Sequence, residues 1–160
     1  MFRNLHILSY LKYSVVAALL YCIPMFFFLM KADYEKAWLL YLGNALFMAY
    51  MFVFAMMYNI SKRDPQAISS IAAAHVVTFL AIAVIFVVSL LLVFIMVPGL
   101  VSAGPADRTM SDTPVNMVHG KTNGMLFILY IDMLLGNFAA GSFVAIITSY
   151  MAKKGRPQSE

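Results

Sequence analysis

Charge is what this chain has least of. Asp, Glu, Lys and Arg together make up 11% of its 160 residues, against 63% hydrophobic residues. Soluble domains average about 25% charged and about 45–50% apolar residues. That contrast excludes a water-soluble globule, and the same apolar excess excludes a disordered or fibrous chain. Cysteine is nearly absent too. The single Cys22 allows neither a disulfide framework nor a Cys-based zinc site within one chain. Catalytic motifs are missing as well: there is no His-Glu-x-x-His, no Walker-type phosphate loop, no Gly-x-Ser-x-Gly, and no pair of carboxylates inside an apolar run. The formal charge of +4 does not compensate, because the 11 basic residues are scattered and form no stripe for nucleic acid. A non-enzymatic protein with no cofactor and no nucleic-acid partner is expected.

What is present instead is a set of long apolar runs. Crossing about 30 Å of hydrocarbon takes about 20 residues at about 1.5 Å each. Four segments qualify, over about 11–30, 37–60, 68–97 and 124–151. The expected fold is therefore all-α, a polytopic four-transmembrane-helix antiparallel bundle forming one domain over 1–160. Successive spans joined by short loops are expected to pack as neighbours. The first span is too long for a signal core and lacks a small-x-small cleavage site, so it is expected to be retained. Cys22 follows Leu20 and Tyr21 rather than small residues, and reads as an ordinary buried apolar position.

Orientation follows from the basic residues. Arg3, Lys12, Lys62, Arg63, Lys153, Lys154 and Arg156 fall on one side, seven in all, against four on the other, Lys31, Lys36, Arg108 and Lys121. Both termini are accordingly expected in the cytoplasm, with the chain multi-pass in the inner or plasma membrane. The 152–160 tail and its basic residues then meet anionic head groups. Trp38, Tyr34 and Tyr41 fit an aromatic belt at the outer entrance of the second span. The outer loop, 98–121, is rich in Pro, Gly, Ser and Asp and has no helical or strand period.

Polar residues within the runs are few, which makes each informative. Asp132 is the one acid inside a span, and a carboxylate at a helix centre costs about 2.5–3.5 kcal/mol on insertion scales. It is the eighth residue from Met125, as Asn44 is the eighth from Ala37; Ser89 lies eight positions inward from Val97, and Pro24 seven from Lys31. All four come to roughly 10 Å below the outer interface. One polar layer is expected there, with Asn44 and Ser89 bonding Asp132, and with Pro24 freeing the Leu20 carbonyl nearby. Two readings of Asp132 stay open: a neutral or hydrogen-bonded link between helices, or a proton or cation site reached by water.

Small residues mark packing faces on the fourth span. Asp132, Gly136 and Ala140 form one stripe at four-residue spacing; Asn137, Gly141 and Ala145 form the next. An intramolecular contact is favoured over a homodimer face. His75, at the inner end of the third span, reads as a satisfied interfacial side chain; as a haem ligand it lacks a second His within any span. The functional expectation is an accessory, scaffold or assembly subunit whose partners are the lipid bilayer and other membrane subunits or copies of itself. The alternatives are a homo-oligomeric ion- or proton-coupled transporter or channel using Asp132, and an electron-transfer subunit with haem on His75.

Overall fold

A backbone amide with no water at hand must find its partner inside its own segment, and an apolar run does this as a helix. The computed structural model describes residues 7–31, 34–61, 67–96 and 121–154, and every apolar run among them is helical. Helix α1 is Ile7–Lys31, α2 is Trp38–Ser61 and α3 is Ala67–Met96. A fourth rod consists of α4, Lys121–Ile131, and α5, Asn137–Lys154, joined without a break by a π-helical turn over Asp132–Gly136. A 3-10 turn over Tyr34–Lys36 leads into α2. The rods contain four stretches long and apolar enough to cross a membrane: Ser9–Lys31, Trp38–Asn59, Ser69–Met96 and Leu126–Met151.

These bounds agree with the expected spans to within a few residues, as helix ends usually do. The first helix starts four residues before its expected bound and the fourth rod three. Lys121, assigned to the outer loop from its sequence, is the first residue of α4. The rest of the 98–121 loop and the tail from 155 onward lie outside the described residues.

Side-chain bonds fix the relative directions of the rods. The Tyr10 hydroxyl meets that of Tyr58 at 3.4 Å, which sets the start of α1 beside the end of α2. Ser14 Oγ donates to the Val77 carbonyl at 3.0 Å, so α1 and α3 start at the same end. Asn44 bonds Asp132 and Asn59 bonds the Thr148 carbonyl, so α2 runs alongside the fourth rod in the same direction. His75 and Ser89 of α3 meet Ser142 and Met133 of the fourth rod in reverse order, so those two are antiparallel.

The bundle is square in section. Both α1 and the fourth rod pack along α2 and α3, while α2 and α3 face each other across one diagonal with little contact. Of the successive pairs, α1 with α2 and α3 with the fourth rod pack as expected, and α2 with α3 does not. Five residues, 62–66, separate α2 from α3, and five extended residues reach up to about 17 Å, enough to cross a bundle diagonal. What brings α1 against α3 instead is small residues. A serine hydroxyl can reach a neighbouring backbone carbonyl only where helices lie close, and Ala17, Ala18, Ala73 and Ala81, all 2% exposed or less, permit that approach.

Large side chains fill the interior and cover the exterior alike. Tyr21, Met25, Phe28, Phe47, Met51 and Ile85 are fully buried, whereas Leu19, Ile23, Leu91, Phe94, Leu135 and Ile146 are more than half exposed. An outer surface this apolar on every rod is far beyond the patches that soluble monomers expose.

At Gly141 the α5 backbone comes directly against Thr78 of α3. A Cβ there would overlap the Thr78 side chain, approaching its Cγ2 to 2.6 Å and its Cβ to 2.9 Å as well as colliding with its hydroxyl. Thr78 cannot swing away cheaply, because it is fully buried and its hydroxyl donates to the Ala74 carbonyl at 2.9 Å. Gly141→Ala should therefore lower the unfolding free energy in detergent by about 1–3 kcal/mol, the usual cost of overpacking. Adding Thr78→Ala should recover part of that loss. An unchanged melting temperature in the Gly141→Ala protein would show that the two backbones are not in contact at this point.

Candidate functional site

Asp132 opens the π-helical turn and is half-buried between rods. Its Oδ1 accepts from Asn44 Nδ2 of α2 at 2.8 Å, and its Oδ2 accepts from the Tyr21 hydroxyl of α1 at 3.0 Å. Three of the four rods thus meet at one carboxyl group. Both distances are those of well-formed bonds, and each oxygen has its own donor.

Two glycines make the room. A Cβ on Gly43 would come to 2.9 Å from the Tyr21 ring, so the α2 backbone passes directly over that tyrosine. A Cβ on Gly136 would come to 2.6 Å from Asn44 Nδ2, so the fourth rod passes directly over Asn44. Each partner of Asp132 therefore lies in a slot that only glycine leaves open.

The π-helical turn sorts the side chains of the fourth rod between its two neighbours. Asp132 and Gly136 face Asn44 on α2, while Met133 reaches Ser89 and Gly141 reaches Thr78, both on α3. Such turns carry an extra residue within a helical turn and leave the backbone bonding locally irregular. Here the Asn137 N–H bonds the Leu134 carbonyl, and the Asn137 side chain supplies a donor to the Met133 carbonyl at 2.9 Å. Asn137 is fully buried, and its Oδ1, like that of Asn44, accepts no hydrogen bond among the described residues.

Of the four residues expected in a polar layer, Asp132 and Asn44 are in direct contact. Ser89 is buried but turned to its own helix, donating to the Phe86 carbonyl at 2.8 Å and lying 3.7 Å from Met133 Sδ; it has no bond to Asp132. Pro24 is buried within α1, three residues beyond Tyr21. Tyr21 is the member that sequence reasoning missed, since an aromatic residue in an apolar run looks like core. The small-residue stripes lie against the chain's own helices: Gly136 on Asn44, Gly141 on Thr78, Asn137 and Ala145 fully buried, Ala140 half-buried.

A second polar level ties the rods together at the other end. Tyr10 bonds Tyr58, which meets Ser69 at 3.3 Å; Ser70 bonds Asn59, which donates to the Thr148 carbonyl at 3.3 Å. His75 is engaged through both ring nitrogens, Nδ1 with the Ile71 carbonyl at 2.9 Å and Nε2 with Ser142 Oγ at 3.3 Å. Its ring also stands edge-on to Phe138 at 6.2 Å between centroids. No nitrogen is left facing open space for a haem iron. Among the described residues, no three His, Cys, Asp or Glu side chains are grouped to hold a metal ion.

Chemically, the Asp132 site can hold its carboxyl group in either protonation state. Tyr21 and Asn44 donate to a carboxylate as they stand. A proton on Asp132 would find an acceptor in the tyrosine oxygen, or in Asn44 Oδ1 after a half-turn of the carboxamide. No protein family, curated protein or solved structure matches this chain, so the site's meaning rests on its own geometry.

Hydrogen bonds between membrane helices average about 0.6 kcal/mol and reach about 1.7 kcal/mol. Tyr21→Phe should thus cost about 0.5–1.5 kcal/mol in detergent or bicelles. In an Asp132→Ala background the same change should cost almost nothing, because the acceptor is already gone. Equal costs in both backgrounds, read from a double-mutant cycle, would show that the hydroxyl and the carboxyl group do not interact.

Proposed function

We propose that this chain is a small non-enzymatic integral membrane protein, an accessory or assembly subunit that holds its four helices in one arrangement for other membrane components to pack against. The observation that carries this reading is the use of Asp132. Its two oxygens meet donors from α1 and α2, so the polar group most suited to chemistry links three rods of its own bundle. Lateral packing suits the rest of the surface, where bulky apolar side chains stand exposed on every rod.

In this reading the bundle spans the cytoplasmic membrane, inner or plasma, with both termini inside. The rod directions support a common side for the start of α1, the end of α2, the start of α3 and the end of α5. The sequence flanking those four ends carries the larger share of Lys and Arg, seven against four: Arg3, Lys12, Lys62, Arg63, Lys153, Lys154 and Arg156 on this side, and Lys31, Lys36, Arg108 and Lys121 on the other. The opposite ends carry Trp38 and Tyr41, both more than half exposed, as an interfacial belt requires.

One observation favours a second reading, a homo-oligomeric proton- or ion-coupled transporter or channel. Asn44 Oδ1 is buried without a donor among the described residues, and it is placed to accept a hydrogen bond from a protonated Asp132 after a half-turn of the carboxamide. Ionisable residues within a membrane mark ion or proton pathways often enough to keep this reading in view.

Mild-detergent purification from the native membrane, with the mass of the assembly measured on the same sample, separates the two. The subunit reading expects a second protein to co-purify at fixed stoichiometry, and to remain bound when Asp132 becomes Asn. The transporter reading expects a homo-oligomer that moves protons or cations alone in liposomes and stops doing so as Asp132→Asn. A lone, silent monomer would overturn both.

A further inference from the structure

Four polar groups converge on one shallow groove where α1 passes α2, away from Asp132. The groove, of about 420 Å³, is lined by Ser9, Lys12, Tyr13 and Val16 of α1 and Tyr50 of α2. None of its four polar ends, the Ser9 and tyrosine hydroxyls and the Lys12 ammonium, has a hydrogen-bond or ion-pair partner among the described residues. All four are donors, one carries a full positive charge, and the lining contains no carboxylate. Tyr13 is held in place by its neighbour: its ring lies 4.8 Å from that of Phe54 between centroids.

The sequence of chemistry along the groove is graded. Ser9 and Lys12 lie in the first turns of α1, next to the helix ends that the basic residues assign to the cytoplasmic side. Tyr13, Val16 and Tyr50 lie progressively further into the span. The polar ends of Ser9 and Lys12 lie outermost, the Tyr13 hydroxyl next, and the Val16 side chain and Tyr50 ring deeper, which is the order of a glycerophospholipid: phosphate, ester carbonyl, acyl chain. Ammonium and hydroxyl donors suit phosphate oxygens, and tyrosine at interfacial depth suits ester oxygens.

We propose that this groove is a binding site for one anionic glycerophospholipid of the inner leaflet, its phosphate on Lys12 and Ser9, an ester oxygen on Tyr13, and an acyl chain along Val16 and the Tyr50 ring. The absence of any carboxylate from the lining sets the preference for an anionic head group, because a choline or ethanolamine cation would meet the Lys12 charge with nothing to receive it. The site rests on the membrane reading and orientation given above, but not on any partner subunit or on transport by Asp132.

The test is native mass spectrometry of the full chain released from nanodiscs of equal parts phosphatidylglycerol and phosphatidylcholine. The wild-type protein should retain one phosphatidylglycerol in preference to phosphatidylcholine by about fivefold, the factor expected of one basic residue at an anionic surface. Lys12→Gln should bring the ratio to about one. Tyr13→Phe, which leaves the charge in place, should reduce the retained lipid without changing the ratio. Lys36→Gln, at the opposite end of the bundle, should change neither. Equal retention of the two lipids, or an unaltered ratio in the Lys12→Gln protein, would overturn the proposal. So would displacement of the lipid by millimolar inorganic phosphate, which would assign the groove to a free oxyanion. Failure of the chain to enter nanodiscs at all would instead strike the membrane reading.

Discussion

A carboxyl group away from water has to be met by donors, and the bundle is arranged so that Asp132 is met twice. Its two partners come from α1 and α2. That requirement propagates outward into the backbone. Asn44 can lie against Asp132 only if the residue above it, Gly136, has no side chain, and Tyr21 fits under α2 only because Gly43 has none. The π-helical turn sits at the same place, sending Asp132 toward α2 and Met133 toward α3. Spacing, register and helix geometry thus all answer to a single polar group.

The remaining polar residues follow the same rule at lower stakes. Ser14, Thr78, Ser89 and Thr148 each return a hydroxyl proton to a carbonyl three or four residues earlier in their own helix. This is the usual resort of Ser and Thr in apolar surroundings. The longer side chains, Tyr10, Tyr58, Asn59 and His75, reach between helices, as Ser14 also does to the Val77 carbonyl. The bundle is therefore tied at two levels, by the Asp132 site and by a looser band near the start of α1, with mostly apolar packing between.

Much of this was legible in the residues alone. Four apolar runs of membrane-crossing length became four rods, because length and hydropathy demand a helix wherever water is scarce. Asp132 and Asn44 could be matched because a helix advances uniformly, so counting inward from two apolar boundaries gives comparable depths. The same count failed for Ser89, since depth says nothing about which way a short hydroxyl turns, and its own helix was nearer. Tyr21 escaped because its polar atom lies at the far end of a large apolar ring; the signal, visible only afterwards, was Gly43, the small residue beside Asn44 in the next run. Neither the π-helical turn nor the diagonal placement of α2 and α3 leaves a hydropathy signature, since one extra residue in a turn does not alter an apolar average. Helix α3, apolar around its whole circumference, offers no stripe to say which neighbours it has.

The square arrangement bears on how the molecule is made. Synthesis delivers α1, α2 and α3 first, and of these only α1 touches both others closely. Taken without the fourth rod, these three helices form an open trough, with α2 and α3 on either side of α1. The Tyr21 hydroxyl and the Asn44 amide then line that trough without the group they serve, in surroundings where an idle donor is costly. The last rod to emerge brings Asp132 to both at once and closes the trough along α2 and α3 together. The acid that looks most out of place in an apolar chain is thus the contact through which the last rod in chain order meets α1 and α2 together.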